Sequence, residues 1–206
     1  MITTAEVRNV FQRSANALRE NSDYLVELDQ QLGDGDLGIT ARKIADAMGE
    51  YLAQMQDETD IGKLVMNAGM KINSAAPSTM GSLLAIALMR AGKLAKDQTE
   101  INETTVVEML KTGVNAILEK GKANLGDKTI LDALIPGVKA FAESIRNGES
   151  MDESSRKMLA ASQNGLESAT PLRSKVGRAS WVGDRTEGKV DPGCAFWVCV
   201  LKGLIE

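Results

Sequence analysis

Leu28-Asp29-Gln30-Gln31-Leu32-Gly33-Asp34-Gly35-Asp36-Leu37-Gly38-Ile39-Thr40 is the stretch whose reading decides the fold of this chain. It sets three carboxylates among three glycines between Asp29 and Gly38. Gly33, Gly35 and Gly38 match the spacing of a dinucleotide-binding fingerprint, which needs a preceding strand and bare amides facing a pyrophosphate. The residues before it instead recur at helical spacing, as Tyr24, Leu25, Leu28 and Leu32. Two aspartates would also repel an unshielded phosphate, so the α/β reading is rejected. An EF-hand loop needs Glu at its twelfth position; counting from Asp34 gives Ala45 and from Asp29 gives Thr40. A P-loop needs Lys after its second glycine, and after Gly121 and Gly126 that place holds Asp127. What survives is a tight turn between two helices. Glycines let the backbone bend enough to converge the carboxylate oxygens, and converging carboxylates suit a hard cation such as Mg²⁺ or Ca²⁺. The plain alternative is a solvated acidic turn, because Asp and Gly are also the default turn residues.

Working outward, the pattern is helical throughout. Thr3 to Glu6 reads as a capping box, followed by Val7, Val10, Phe11, Ser14 and Leu18 at three- and four-residue spacing. Ser22 is expected to cap a second helix, with Tyr24, Leu25, Leu28 and Leu32 inward. A third is expected from about Ile39, burying Ile44, Met48, Tyr51, Leu52 and Met55, and Asp60 caps a fourth. Ser74 to Gly81 forms a second small-residue turn ahead of a segment apolar on nearly all sides, a buried helix. Ser78 and Thr79 there either cap the helix or present hydroxyls and amides to a phosphate. Thr104 or Thr105 opens a helix that stops near Gly121. A loop to Thr129 leads into the next, which Pro136 should kink or offset, and Asp152 caps another. After Pro171, Arg173, Lys175, Arg178 and Arg185 are interleaved with Gly177, Gly183 and Gly188. This is either a solvated basic loop or an anion cradle. The chain ends on an apolar helix from Cys194 to Leu204. Strand patterning is nearly absent, and the expectation is one all-α domain over residues 1–206 with eight or nine helices.

Composition narrows the chemistry. There are 206 residues, a net charge of −4 and no histidine. A Ser-His-Asp hydrolase and any His base or covalent His are therefore excluded, and no basic excess suggests nucleic acid. Cys194 and Cys199 read as buried thiols rather than a zinc site. No apolar run reaches membrane-span length, the polar start Met1 to Glu6 shows no signal-peptide pattern, and a cytoplasmic location is expected. Chemistry must rest on metal, phosphate, carboxylates and arginine, or be completed by a partner. An acidic turn and a basic glycine-rich loop in one helical domain together suggest a Mg-polyphosphate site.

These motifs resemble, in order and spacing from about residue 25 to 195, the nucleotide-binding L subunit family of dihydroxyacetone kinases. Asp29-x4-Asp34-Gly35-Asp36-x-Gly38 is similar to its metal motif and Ser78 to Gly81 to its phosphate turn. Gly126-Asp127-Lys128-Thr129 with Asp132 and Pro136 is similar to its central segment. Gly177-Arg178-Ala179-Ser180-Trp181 to Arg185, then Gly188 and Asp191-Pro192-Gly193, is similar to its C-terminal signature. The resemblance implies an antiparallel eight-helix barrel with the nucleotide at one rim. It implies two Mg²⁺ held by Asp29, Asp34 and Asp36 and bridging the phosphates of ADP or ATP. It implies nucleotide contacts at Leu37, Gly38, Ile39, Thr40, Ser78, Thr79, Gly121, Ile130, Arg178, Asp191, Pro192 and Gly193, with Arg178 as the catalytic donor to phosphate. It also implies a K-type subunit whose histidine holds the ketose, a possible phosphotransferase-system donor, and a homodimer. The chain departs from the family at Leu37, where many members have His, at Ala75-Ala76-Pro77-Ser78-Thr79, and at Lys189-Val190. Acceptor (dihydroxyacetone or a tetrulose such as erythrulose) and donor therefore stay open. The alternative is a non-enzymatic, nucleotide-loaded regulator that docks a transcription factor or another protein.

Overall fold

In the computed structural model, which describes residues 1–205, nine α-helices carry the chain among the described residues. They are α1 (Thr4–Glu20), α2 (Ser22–Gln30), α3 (Asp36–Gln54), α4 (Ile61–Ala75), α5 (Thr79–Gly92), α6 (Glu103–Gly121), α7 (Leu131–Arg146), α8 (Met151–Ala169) and α9 (Pro192–Ile205). Two 3₁₀ segments, Lys93–Ala95 and Arg178–Thr186, and a two-stranded antiparallel pair, β1 (Ile2–Thr3) with β2 (Glu100–Ile101), complete the description.

Helices α1 and α2 run on as one rod broken at Asn21, whose amide still donates to Ala17 O and whose carbonyl still accepts from Leu25 N. Counting them as one gives eight rods. Each rod packs on the next in sequence, and α1 packs on α9, closing the ring. The connections between neighbouring rods, most of them short, reverse the chain at each step. Alternate connections therefore fall at the same rim. At one rim lie the turn before α3, the turn before α5, the loop between α6 and α7 and the loop between α8 and α9. The other rim is tied by β1 to β2, by Thr4 Oγ1 donating to Thr59 O (2.5 Å), and by Ile61 N donating to Gln98 O (2.8 Å).

One large apolar cluster fills the ring, including Leu25, Leu37, Ile44, Leu64, Ile72, Leu131, Met158 and Phe196. The capping box at Thr3 and Glu6 and the Asp60 cap on Lys63 N are as the sequence predicts. Several starts differ. Asn21 precedes α2 without a side-chain cap, and the Ser22 hydroxyl instead accepts from Arg42. Asn102 caps α6 through Thr105 N, and Ser150, not Asp152, caps α8. Helix α3 starts at Asp36, three residues before the expected start at Ile39, and Tyr24, expected inward on α2, is exposed. Helix α5 has no fully exposed side chain between Met80 and Arg90, close to the buried helix expected. Pro136 lies inside α7 and cannot donate to the carbonyl of Asp132. That carbonyl lies against Gly165 of α8, where any side chain would collide with it.

Candidate functional site

The acidic turn is built by two helix ends. Asp29 sits in the last turn of α2, and Gly35, at φ 79°, reverses the backbone so that Asp36 begins α3. Gly38 lets α3 press onto α2: a Cβ there would lie 2.6 Å from Val26 N and closer still to Ser22 O. This close approach brings single oxygens of Asp29, Asp34 and Asp36 within 4.8 Å of one another. Asp29 is half-buried and also accepts from Leu37 N at 3.2 Å. Burial pushes the Asp29 carboxyl up, and the neighbouring Asp36 and Asp34 push it further.

No cation neighbours these acids in sequence, but the fold delivers one from 144 residues away. Arg178 Nη1 pairs with Asp34 and Nη2 with Asp36 at 2.9 Å. Asp36 and then Asp34 hold the Arg178 guanidinium above its already high value. The three acids thus gather around positive charge, with oxygens spaced for a hard cation and partly open to solvent. The donor set fits Mg²⁺: carboxylate oxygens only, with room for water or phosphate oxygens to complete the shell.

Of the neighbouring predicted residues, Leu37 and Thr40 are buried and Gly38 is packed on α2, so only Ile39 shows its side chain to solvent. Leu37, where many members of the resembled family have His, is thus a core side chain in this chain. At the turn before α5, Ser78 Oγ accepts from Gly81 N at 3.0 Å, and Thr79 begins the helix. Both alternatives for Ser78 begin from this cap, which leaves the hydroxyl only part-buried. Gly121, at the end of α6, lies beside Leu83 of α5.

The remaining predicted residues meet one another. Gly193, at the start of α9, abuts Ile130 N. Asp191 is buried and caps α9 by accepting from Cys194 N at 2.8 Å; burial pushes its carboxyl up to about 6. The Cys194 thiol donates to Thr129 O at 3.0 Å, and burial holds it protonated. Sequence reasoning assigned no role to two residues at this junction. Asp132 accepts from Gly126 N (2.6 Å) and Thr129 N (2.8 Å), closing the loop before α7. Lys128 is 1% exposed and donates to three backbone carbonyls. Both stand in the segment that resembles the family's central motif, but by residue type alone a Lys and an Asp flanking Thr129 read as ordinary solvated polarity, and no role was attached to either. A groove between α6 and α7, lined by Val107, Lys111, Ile135 and Lys139, contains none of the predicted site residues.

Comparison with known proteins bears on the family and the fold. The chain is 32% identical over 202 residues to the PEP-dependent dihydroxyacetone kinase 2, ADP-binding subunit DhaL, of Listeria innocua, covering 96% of this chain and 92% of the relative. It is 26% identical over 203 residues to the ADP-binding subunit DhaL of the Escherichia coli K12 PEP-dependent dihydroxyacetone kinase, covering 98% and 96%. The crystal structure of the C. freundii dihydroxyacetone kinase in complex with AMP-PNP and Mg²⁺ superposes with a TM-score of 0.77 at 26% identity. The match covers 98% of this chain and 33% of that longer chain. The DAK2 domain model matches residues 31–206, and the chain belongs to the DAK2 domain family.

Proposed function

We propose that this chain is the Mg-nucleotide-binding subunit of a dihydroxyacetone-type kinase, transferring a phosphoryl group to a small ketose held on a K-type partner. The observation that carries this is the convergence of Asp29, Asp34 and Asp36 under Arg178 at one rim. The turns bearing Ser78, Ile130 and Asp191 leave their helices at the same rim. Two Mg²⁺ would be held by the three aspartates, and when bound they would neutralise the phosphates and polarise the transferred group. ADP or ATP would lie along Ile39, Ser78, Thr79, Gly121, Ile130, Pro192 and Gly193, with Leu37, Gly38, Thr40 and Asp191 shaping the site from behind. Arg178 exchanges its carboxylate partners for phosphate oxygens, adding planar paired donors where charge builds up. The chain has no histidine to hold a carbonyl covalently, so the ketose and its base come from the partner.

A phosphotransferase-system protein as phosphoryl donor, a homodimeric state and a cytoplasmic location belong to the same reading. In support of the last, no described helix is long and apolar enough to cross a membrane. The test is calorimetry with ADP and ATP, with and without Mg²⁺, followed by turnover with a K-type partner and either dihydroxyacetone or erythrulose. Mg-dependent binding and turnover are expected. Nucleotide that survives gel filtration would mark a permanent ADP, rephosphorylated in place. Binding without turnover on any ketose or donor would replace the kinase reading with that of a regulator.

A further inference from the structure

Lys128 has no part in the chemistry above, yet it is one of the largest fully buried side chains in the molecule. Its Nζ donates to Thr170 O (2.7 Å), Leu172 O (2.8 Å) and Thr186 O (2.6 Å). An ammonium has three N–H donors and a backbone carbonyl can only accept, so the complement is full, and the three acceptors favour the charged form that burial alone disfavours. A buried charge is tolerated only when satisfied in this way.

The three carbonyls come from the two feet of one segment. Thr170 and Leu172 lie where the chain leaves α8, and Thr186 ends the 3₁₀ run that begins at Arg178. Further bonds close the same base. Ser174 N donates to Thr186 Oγ1 (3.0 Å), Gly188 N to Thr170 O (3.0 Å) and Lys175 N to Asp127 O (3.1 Å). Arg178 stands on the arch between these feet, its side chain exposed and reaching Asp34 and Asp36. We propose that Lys128 is a positioning residue for the phosphoryl transfer. By drawing Thr170, Leu172 and Thr186 onto one ammonium it sets where the arch stands, and so where Arg178 meets the metal-bound phosphates. The proposal rests on the reading of this rim as the Mg-nucleotide site.

The test is a double-mutant cycle on the full chain, read by calorimetry with Mg-ADP. Lys128→Met is expected to weaken binding about tenfold, the scale seen when a supporting partner of a metal site is lost. In an Arg178→Met background it should cost less than about twofold more, because its effect passes through Arg178. Additive losses, or an unchanged dissociation constant with only a lower melting temperature, would overturn the proposal. A second readout needs no nucleotide. Trp181 lies on the arch, and with Trp197→Phe it is the sole tryptophan. Its fluorescence anisotropy should fall in Lys128→Met, and an unchanged value counts against the role. If Lys128→Met does not fold, Thr186→Val removes the hydroxyl that bridges Ser174 N and Gly183 O. It should then give smaller changes in the same two directions, and no change in either sinks the idea. A wild type that binds no Mg-ADP would defeat the site reading itself, while the anisotropy still decides whether Lys128 orders the arch.

Discussion

At the scale of single residues, charge decides most of what this rim does. Asp34 is more than half exposed and, among the described residues, pairs only with Arg178, so Asp34→Asn should leave the stability of the ligand-free chain within about 0.5 kcal/mol in urea titration. The same change removes a metal ligand, so Mg-ADP affinity should fall by more than the roughly 10–100-fold typical of losing a supporting group. Asp191 behaves differently because it is buried. Its carboxyl is raised to about 6 in the folded chain, above its unfolded value, so the native state holds the extra proton. Between those two values stability falls as pH rises, by on the order of 2–3 kcal/mol in all. Asp191→Asn keeps a cap for Cys194 N and removes the titration. Relative to the wild type it should therefore gain stability between about pH 4 and 7, read from denaturant midpoints at the two ends. The turn bearing Asp29, Asp34 and Asp36 was legible in sequence as either converging carboxylates or a solvated acidic turn, and the fold brings their oxygens together. Arg178 was legible only as a candidate. Its distance along the chain hides the pairing, which depends on two loops meeting at one rim.

At the scale of elements, the site depends on how tightly helices approach. Gly38 has no room for a Cβ against Ser22 and Val26, so Gly38→Ala must push α3 off α2. A cost of about 1–3 kcal/mol is expected from such overpacking. Mg-ADP affinity should fall with it, because Asp36 rides on α3 while Asp29 rides on α2. Ser78→Ala removes the cap on Gly81 N and should cost about 1 kcal/mol in a thermal melt. If Ser78 also touches phosphate, nucleotide affinity drops beyond what the stability loss alone explains. Helix bodies were readable from apolar spacing, which is a local property. Their first residues were less so: Ser22, Thr104 or Thr105, and Asp152 are all good capping types, yet Asn21, Asn102 and Ser150 stand at those starts. Several capping residues in a row give the sequence no way to choose. Gly38 could be read as a ligand-facing glycine or as a packing one, and only the neighbouring helix decides between them.

For the molecule as a whole, an up-and-down ring places alternate connections together. Four motif-bearing turns far apart in sequence therefore share one rim without any long-range motif to announce it. Helical period and the scarcity of strand patterning made the all-α class legible. A helix boundary near Ser22 was legible from its capping type, but that α1 and α2 run on across it as one rod was not, because the hydrogen bonds of Asn21 to Ala17 O and from Leu25 N are set by the fold. Ligand linkage gives a global prediction. At a hundredfold excess of Mg-ADP over its dissociation constant the fold should gain about 2.7 kcal/mol, near 5–10 °C in melting temperature for a chain of this size. A chelator should abolish most of that shift, and ADP alone should give little of it.

Arg178 resting on Asp34 and Asp36 has one more consequence. The acids already own a tethered counter-ion, so a lone divalent ion arrives at a seat that is taken. Only a guest bringing its own anions can offer the guanidinium somewhere else to go. Metal and nucleotide should thus enter as a pair, each poorly retained by itself, and trimming Arg178 to Met should let bare Mg²⁺ in more readily while loosening its hold on the phosphates.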